Sequence, residues 1–180
     1  MILLVVDTQK GITDERLFAF GRMKENIKQL IKLAREEAVE VIFVCHDDGP
    51  GTGFSVGDED FEIYDEFASL AGERIFDKTV NSAFHSSTGL LDYLKERKEN
   101  QVMIVGLQTN LCIDATIKTG FDNGLEMIVP EYTNSTFDNE FMTSEVCYHY
   151  YNEMIWPNRF AKCVSMEEAM EMLVKTKVGK

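Results

Sequence analysis

Short apolar runs alternate along the chain with longer stretches in which apolar residues recur every three or four positions. The runs Met1–Val6, Val41–Cys45 and Gln101–Val105 predict strands that are buried on both faces. The stretch Met23–Glu37 predicts the first helix, because its apolar residues fall on one side at the helical period. Further helices are predicted at Leu90–Lys98, Leu111–Asn123 and Asn139–Glu153, and shorter strands at Arg74–Phe76, Glu126–Val129 and Arg159–Val164.

This alternation of strands and helices predicts an α/β fold, a single-domain open parallel β-sheet with right-handed crossovers and helices on both faces. A capping box, Ser165-Met-Glu-Glu168, predicts the start of a final helix. The sequence contains no internal repeat, linker or shift in composition that would divide it. We therefore expect residues 1–180 to form one domain.

Acidic side chains outnumber basic ones by 31 to 18, which gives a formal net charge of −13. Such a surface repels phosphate backbones and anionic lipid headgroups, so we expect no binding to nucleic acid or to a membrane surface. No apolar run approaches the roughly 18 residues that a membrane-spanning helix needs. The four cysteines are widely spaced, and the N-terminus begins as a strand rather than as an export signal. This combination predicts reduced thiols in a cytoplasmic protein.

Several reactive side chains follow the predicted strands. Ligands of open parallel sheets bind at the carboxyl ends of the strands. Asp7 follows the first strand, His46 the second and Lys78 the short third one. The turn 106–110 follows the next buried strand and leads to Cys112 at the start of a helix. These residues are therefore the candidates for a functional site.

Cysteine, lysine and aspartate together suit nucleophilic catalysis. A helix N-terminus and the ammonium of Lys78 would both favour the thiolate of Cys112. Asp7 is placed to accept the thiol proton and return it to a leaving amine. Backbone N–H groups of Gln108 and Cys112 would stabilise an oxyanion. Taken singly, each side chain has a structural alternative, because buried thiols fill cores and aspartates cap turns.

Three blocks occur in the order Asp7-Thr8-Gln9, then Lys78 followed by Asn81-Ser82-Ala83-Phe84, then Val105-Gly106-Leu107-Gln108-Thr109-Asn110-Leu111-Cys112. Together they resemble the isochorismatase-like cysteine hydrolases, a superfamily that includes nicotinamidases, N-carbamoylsarcosine amidases and streptothricin hydrolases. The resemblance implies the isochorismatase-like hydrolase fold and a triad of Cys112, Asp7 and Lys78. It also implies a cis peptide bond between Leu107 and Gln108, and a homodimer or a higher homo-oligomer.

Two departures from the patterns of this superfamily refine the expected chemistry. Nicotinamidases bind a metal through an Asp-x-His motif and a further histidine, whereas this chain has no histidine between His46 and His85. We therefore expect no transition-metal site and no cofactor, while weak binding of calcium or magnesium by the carboxylates of the 46–60 loop stays open. True isochorismatases lack the nucleophilic cysteine, so the presence of Cys112 favours thiol-dependent cleavage of an amide.

The expected substrate pocket is lined by Gln9, Phe84, Leu107 and His46 with the glycine-rich loop that follows it. His46 has a second interpretation as a structural residue bonded to that loop. The expected activity is cysteine-dependent hydrolysis of a small-molecule amide C–N bond. Three alternatives stay open here: a metal-dependent nicotinamidase, a ligand-binding or regulatory protein of the same fold, and a redox sensor that uses Cys112.

Overall fold

Seven parallel strands form the central sheet in a computed structural model that describes residues 1–178. The strands are β1 (Ile2–Val6), β2 (Glu40–His46), β3 (Arg74–Lys78), β4 (Gln101–Leu107), β5 (Glu126–Pro130), β6 (Asn134–Ser135) and β7 (Lys162–Val164). Their order is β3-β2-β1-β4-β5-β7, and β6 pairs with the end of β4. The predicted open parallel sheet is confirmed. Residues 179 and 180 of the predicted domain lie outside the described residues.

Helices cover both faces of this sheet, as predicted. They are α1 (Phe20–Glu36), α2 (Leu90–Glu96), α3 (Asp114–Asp122), α4 (Ser144–His149) and α5 (Met166–Val178). On one face, α1 and α5 bury Ile27 and Leu173 against the strands. On the opposite face, α2 and α3 bury Leu94 and Ile117 together with Trp156. Within residues 1–178, no helix is long and apolar enough to cross a membrane.

The helix predicted at Asn139–Glu153 begins later than expected, at Ser144. The reason is local, because Asn139 Oδ1 accepts hydrogen bonds from the N–H groups two and three residues further on and holds a turn there. Thr143 then caps the helix through its hydroxyl. The helix continues from α4 as a π-helical turn, Tyr150–Ile155. Strand β6 was not predicted, because two residues give no periodic pattern.

The carboxyl ends of β1, β2, β3 and β4 lie at the same edge of the sheet, and the strand order reverses between β1 and β4. β1 lies in the middle, with β2 on one side and β4 on the other. Such a switch point leaves a crevice at the carboxyl ends of the strands. His46 and Lys78 are register partners at the ends of β2 and β3, so their side chains lie on the same face of the sheet.

Gly106 lets β1 and β4 approach closely at this edge. Its φ is +124°, in the region that favours glycine. A Cβ at this residue would overlap the carbonyl group of Val6 on the neighbouring strand. The absence of a side chain at residue 106 therefore sets the spacing between the strand that precedes Asp7 and the strand that leads to Cys112.

Candidate active site

Asp7 leaves β1 in a left-handed backbone conformation, with a φ of 51°. Aspartate is one of the few non-glycine residues that tolerate this conformation. The Asp7 N–H still donates to the carbonyl of Val44 at 2.8 Å, which extends the pairing of β1 with β2 by one residue. The side chain is 2% exposed. A carboxylate is thereby held inside the protein at the end of the central strand.

The ammonium of Lys78 lies at the centre of the site, and its side chain is fully buried. Lys78 Nζ lies 2.8 Å from Asp7 Oδ2, 2.9 Å from His46 Nδ1 and 3.3 Å from Cys112 Sγ. An ammonium has three donors, so these three contacts use all of them. Because an ammonium cannot accept, His46 Nδ1 accepts and the ring proton is on Nε2. That nitrogen lies 3.1 Å from Asp48 Oδ1.

Cys112 lies in a π-helical turn, Thr109–Ile113, that precedes α3. The predicted helix Leu111–Asn123 thus starts two residues earlier and with wider winding, a feature common at functional sites. The carbonyl of Gln108 anchors the turn, because it accepts from the N–H groups of Leu111 and Ile113 at 3.0 and 3.2 Å. The peptide bond between Leu107 and Gln108 is cis.

The protonation of this cluster differs from the expectation of a stabilised thiolate. Burial, together with the charge of Asp7, raises the pKa of the Cys112 thiol to about 12, and Lys78 only partly opposes them. Burial also raises the pKa of Asp7 above its ordinary value, against the opposing effect of Lys78. The resting site therefore holds a neutral thiol, beside an Asp7 carboxyl group that binds a proton more readily than usual. The expectation that Lys78 and the helix start favour the thiolate is outweighed by burial, because the sequence does not reveal how fully the thiol is removed from water.

A cavity of about 410 Å³ opens onto this cluster. Its wall comprises two acidic and three polar side chains, three apolar side chains and the thiol: Asp7, Ile12, His46, Asp48, Phe54, Asn81, Gln108, Leu111 and Cys112. Cys112 is 8% exposed and can therefore be reached from the cavity. Within the described part of the chain, Asp7 Oδ1 is buried without a hydrogen-bond partner. An acceptor on the wall is thus left free for a proton or a ligand donor.

Three residues predicted to line the pocket do not line it. Gln9 is fully buried, and its amide is occupied by hydrogen bonds to backbone groups of His46 and Phe61. Leu107 is fully buried in the core beneath α1 and α5. Phe84 is buried in the core on the opposite face of the sheet. All three lie at or near a strand end. The side chains of Leu107 and Phe84 point into a core, and that of Gln9 is hydrogen-bonded to backbone groups.

His46 fulfils both interpretations, because it lines the cavity and also contacts Asp48 of the following loop. That loop was expected in the wall, and it contributes Asp48 and Phe54. Sequence reasoning missed Ile12 and Leu111. Leu111 is an apolar residue that is 44% exposed next to the thiol, but one sequence carries no sign of that exposure.

The side chains that could ligate a metal are already occupied by a cation. Within the described residues, ligand atoms of Asp7, His46 and Cys112 lie within 4.8 Å of one another. The ammonium of Lys78 contacts all three residues and would have to move before a metal could bind them. The sequence at the end of β2 and just after it reads His46-Asp47-Asp48 and does not form the Asp-x-His motif expected of a nicotinamidase metal site. The cluster therefore does not fit the metal ion of a nicotinamidase.

Comparisons with known proteins agree with this fold and confirm the resemblance. A family model for the isochorismatase domain matches residues 1–167. The isochorismatase family protein YrdC of Bacillus subtilis (strain 168) is 27% identical over 97% of this chain and 96% of its own length. Nicotinamidase 3 of Arabidopsis thaliana is 25% identical over 77% of this chain and 74% of its own length.

Among solved structures, the crystal structure of an isochorismatase family protein has a TM-score of 0.83 and 28% sequence identity. It aligns with 91% of this chain, which covers 97% of that structure. The N-carbamoylsarcosine amidase of Thermoplasma acidophilum shares the fold, with a TM-score of 0.74 and 19% identity over 92% of this chain and 96% of its own. The family model spans nearly the whole chain, and the protein belongs to the isochorismatase family of hydrolases.

Proposed function

We propose that this hydrolase cleaves the C–N bond of a small carboxamide, with Cys112 as the nucleophile. The observation that carries the proposal is the position of the Lys78 ammonium, which contacts both Asp7 and Cys112 behind the wall of the cavity. A nucleophile, a base and a group that orients both are the parts that covalent hydrolysis of an amide requires. The amidase name of the plant relative supports the same chemistry.

The first step couples attack to proton transfer. Because the resting thiol is neutral, Cys112 Sγ forms its bond to the substrate carbonyl carbon as the thiol proton passes to Asp7. The free Asp7 Oδ1 is the oxygen available to receive it. The carbonyl oxygen takes up negative charge, and we assign its stabilisation to the backbone N–H groups of Gln108 and Cys112. Asp7 becomes a neutral acid, which its raised pKa favours.

The second step breaks the C–N bond. The tetrahedral intermediate collapses to a thioester, and Asp7 returns its proton to the departing nitrogen, which leaves as ammonia or an amine. Water then attacks the thioester while Asp7 accepts one of its protons. The carboxylic acid product leaves, and the sulfur of Cys112 recovers the proton from Asp7. Each cycle consumes one amide and one water and restores the starting protonation.

The roles of Lys78 and His46 in this scheme are electrostatic and orienting. The ammonium holds Asp7 Oδ2, so that the second oxygen stays directed at the reaction. It also partly offsets the burial of negative charge as the proton moves between Asp7 and Cys112. His46 receives the third N–H of Lys78 and thereby fixes the direction of the other two.

We also propose that the enzyme is cytoplasmic and forms a homo-oligomer. The four described cysteines are free thiols, which suits a reducing compartment. Phe141 and Met154 are 84% and 69% exposed, and large apolar side chains at the surface suit a contact between subunits. Light scattering tests the assembly, and a single species at the chain mass of 20.5 kDa would contradict it.

Ammonia release from small carboxamides tests the proposed reaction. Cys112→Ala should lower the rate by at least about 1,000-fold without changing the fold. Cys163→Ala is the matched control, because Cys163 is a free thiol outside the cavity. Intact-protein mass spectrometry should detect an acyl adduct that is absent from the Cys112 variant. Equal turnover by wild type and Cys112→Ala would overturn the proposal, and saturable binding without product would favour the ligand-binding alternative.

A further inference from the structure

The wall of the cavity carries acidic side chains but, within the described residues, no lysine or arginine. Asp7 lies at its base, and Asp48 lies nearer the solvent, with a side chain 54% exposed. The ammonium of Lys78, behind the wall, is fully buried and already donates to three partners. Among the described residues of the wall, a substrate carboxylate would therefore find no free cation to pair with, and it would face Asp48.

Asp48 and Phe54 form one side of the cavity and are held together by the backbone. The Asp48 N–H donates to the Phe54 carbonyl at 3.0 Å, which closes the loop between them. Asp48 Oδ1 lies 3.1 Å from His46 Nε2, and this contact directs the carboxylate. The sequence from 36 to 73 contains no lysine or arginine, so the loop brings no cation of its own. A carboxylate beside an aromatic ring is an arrangement that attracts an organic cation.

We propose that the substrate is a carboxamide that carries a positive charge at the end remote from the scissile bond. The amide lies at Cys112 and Asp7, and the cationic end lies between Asp48 and the ring of Phe54. The apolar side chains of Ile12 and Leu111 cover the connecting part of the molecule. The cavity volume of about 410 Å³ suits a substrate of benzamide size with one substituent. This inference rests on the proposed amide hydrolysis and specifies its substrate class.

Three carboxamides of matched shape test the inference. 4-(Aminomethyl)benzamide carries a positive charge, 4-methylbenzamide is neutral and 4-carbamoylbenzoate is negative. We expect kcat/KM to exceed that of the neutral amide by about 5-fold for the cation and to fall below it by about 5-fold for the anion. The difference should lie in KM rather than in kcat. Raising the salt concentration from about 0.02 to 0.2 M should reduce the preference, because Asp48 is partly exposed.

Variants at Asp48 separate its local charge from the charge of the whole protein. Asp48→Asn keeps an oxygen acceptor for His46 and should reduce the cation-to-neutral ratio of kcat/KM by about 5-fold. Asp48→Lys should reverse the order, so that the anionic amide becomes the better substrate. Glu59→Gln is the matched control, because it removes one negative charge from the same acidic segment at an exposed residue outside the cavity wall. It should leave the ratio unchanged.

The outcomes distinguish the inference from the proposed function. If wild type hydrolyses these amides in a Cys112-dependent manner without a preference for the cation, the inference is overturned and the proposed function stands. The same holds if Glu59→Gln changes the ratio as much as Asp48→Asn does. If none is hydrolysed, calorimetric binding of the three amides to Cys112→Ser decides. Tighter binding of the cation supports the inference, and equal or undetectable binding overturns it.

Discussion

The side-chain amide of Gln9 hydrogen-bonds both backbone groups of His46. Gln9 Nε2 donates to the His46 carbonyl at 3.0 Å, and Gln9 Oε1 accepts from the His46 N–H at 2.8 Å. Nε2 also donates to the carbonyl of Phe61 at 3.0 Å. The amide therefore ties the segment after β1 to the end of β2 and to the loop beyond it. It fixes the backbone from which His46 reaches Lys78.

Replacing Gln9 should reduce stability more than it affects substrate binding. Gln9→Leu removes three hydrogen bonds and leaves buried backbone groups without partners, so we expect a loss of about 2–4 kcal/mol in the free energy of unfolding. Urea unfolding measures this loss. Gln101→Leu is the control, because the Gln101 side chain makes one exposed hydrogen bond, to Glu126, and its loss should cost less than about 0.5 kcal/mol. A raised KM at unchanged stability would instead indicate that Gln9 contacts the substrate.

The raised pKa of Cys112 predicts slow alkylation of the free enzyme. Its reaction with iodoacetamide should still be accelerating at pH 10, because the pKa of the thiol is about 12. Asp7→Asn removes a charge that raises this pKa, so the alkylation profile should shift to lower pH by about one unit or more. The same variant should lose hydrolysis, because its base is gone.

These opposite effects on alkylation and turnover are diagnostic of a base that acts on a neutral thiol. Peptide mass spectrometry resolves the four cysteines, and Cys163 provides an internal reference whose pKa burial raises to about 11. The profile of Cys163 should not change in Asp7→Asn. A wild-type Cys112 that reacts fully at neutral pH would contradict the raised pKa of its thiol.

Replacing either member of the buried pair of Asp7 and Lys78 should lower the free energy of unfolding. Lys78→Met leaves the Asp7 carboxylate buried without its cation, and we expect a loss of about 3–5 kcal/mol in the free energy of unfolding. The double variant Asp7→Asn, Lys78→Met leaves no unpaired charge and should be more stable than the sum of the single losses implies. Denaturant unfolding of all four proteins completes the cycle. Strictly additive losses would contradict this coupling.

The thiol of Cys45 should make the protein less stable in alkali. Burial raises the pKa of Cys45 from 9.0 to about 12, so the unfolded chain releases this proton at a lower pH than the folded one. The stabilisation is therefore complete below pH 9.0 and is lost as the pH rises towards 12. Over that interval Cys45 adds a slope of about −1.4 kcal/mol per pH unit to the free energy of unfolding.

Cys45→Ala isolates this contribution. The variant loses packing at every pH, but its stability should decline less steeply in alkali than that of the wild type. Urea unfolding at several pH values between 9.0 and 12 provides both slopes. Parallel curves for the two proteins would show that the thiol ionises equally easily in the folded and unfolded chains.

The sequence was sufficient to predict which side chains meet, because strand ends can be read from apolar runs. Asp7, Lys78 and Cys112 each follow such a run, and parallel strands bring their carboxyl ends together. Apolar runs do not predict the direction in which a side chain points beyond the end of a strand. Phe84 lies three residues from Asn81, yet Asn81 lines the cavity and Phe84 lies in the core. That outcome depends on the path of an irregular loop.

The ionisation of the site was also beyond sequence reasoning. A cysteine near a lysine and a helix start indicated a thiolate, and both neighbours are present as expected. Burial outweighs them, and burial is a property of everything that packs around Cys112 rather than of its sequence neighbours. The same limitation applies to Gln9, whose amide is used by backbone groups 37 and 52 residues away.

Gly106 also limits how this protein can diversify. In a library with every codon randomised and selected for folding alone, residue 106 should return glycine almost without exception, because any Cβ there overlaps the Val6 carbonyl. Gly21 should accept many amino acids, because a Cβ there meets nothing within 4 Å. Substitutions in the wall of the cavity can therefore change the substrate range, whereas the spacing between β1 and β4 should stay the same.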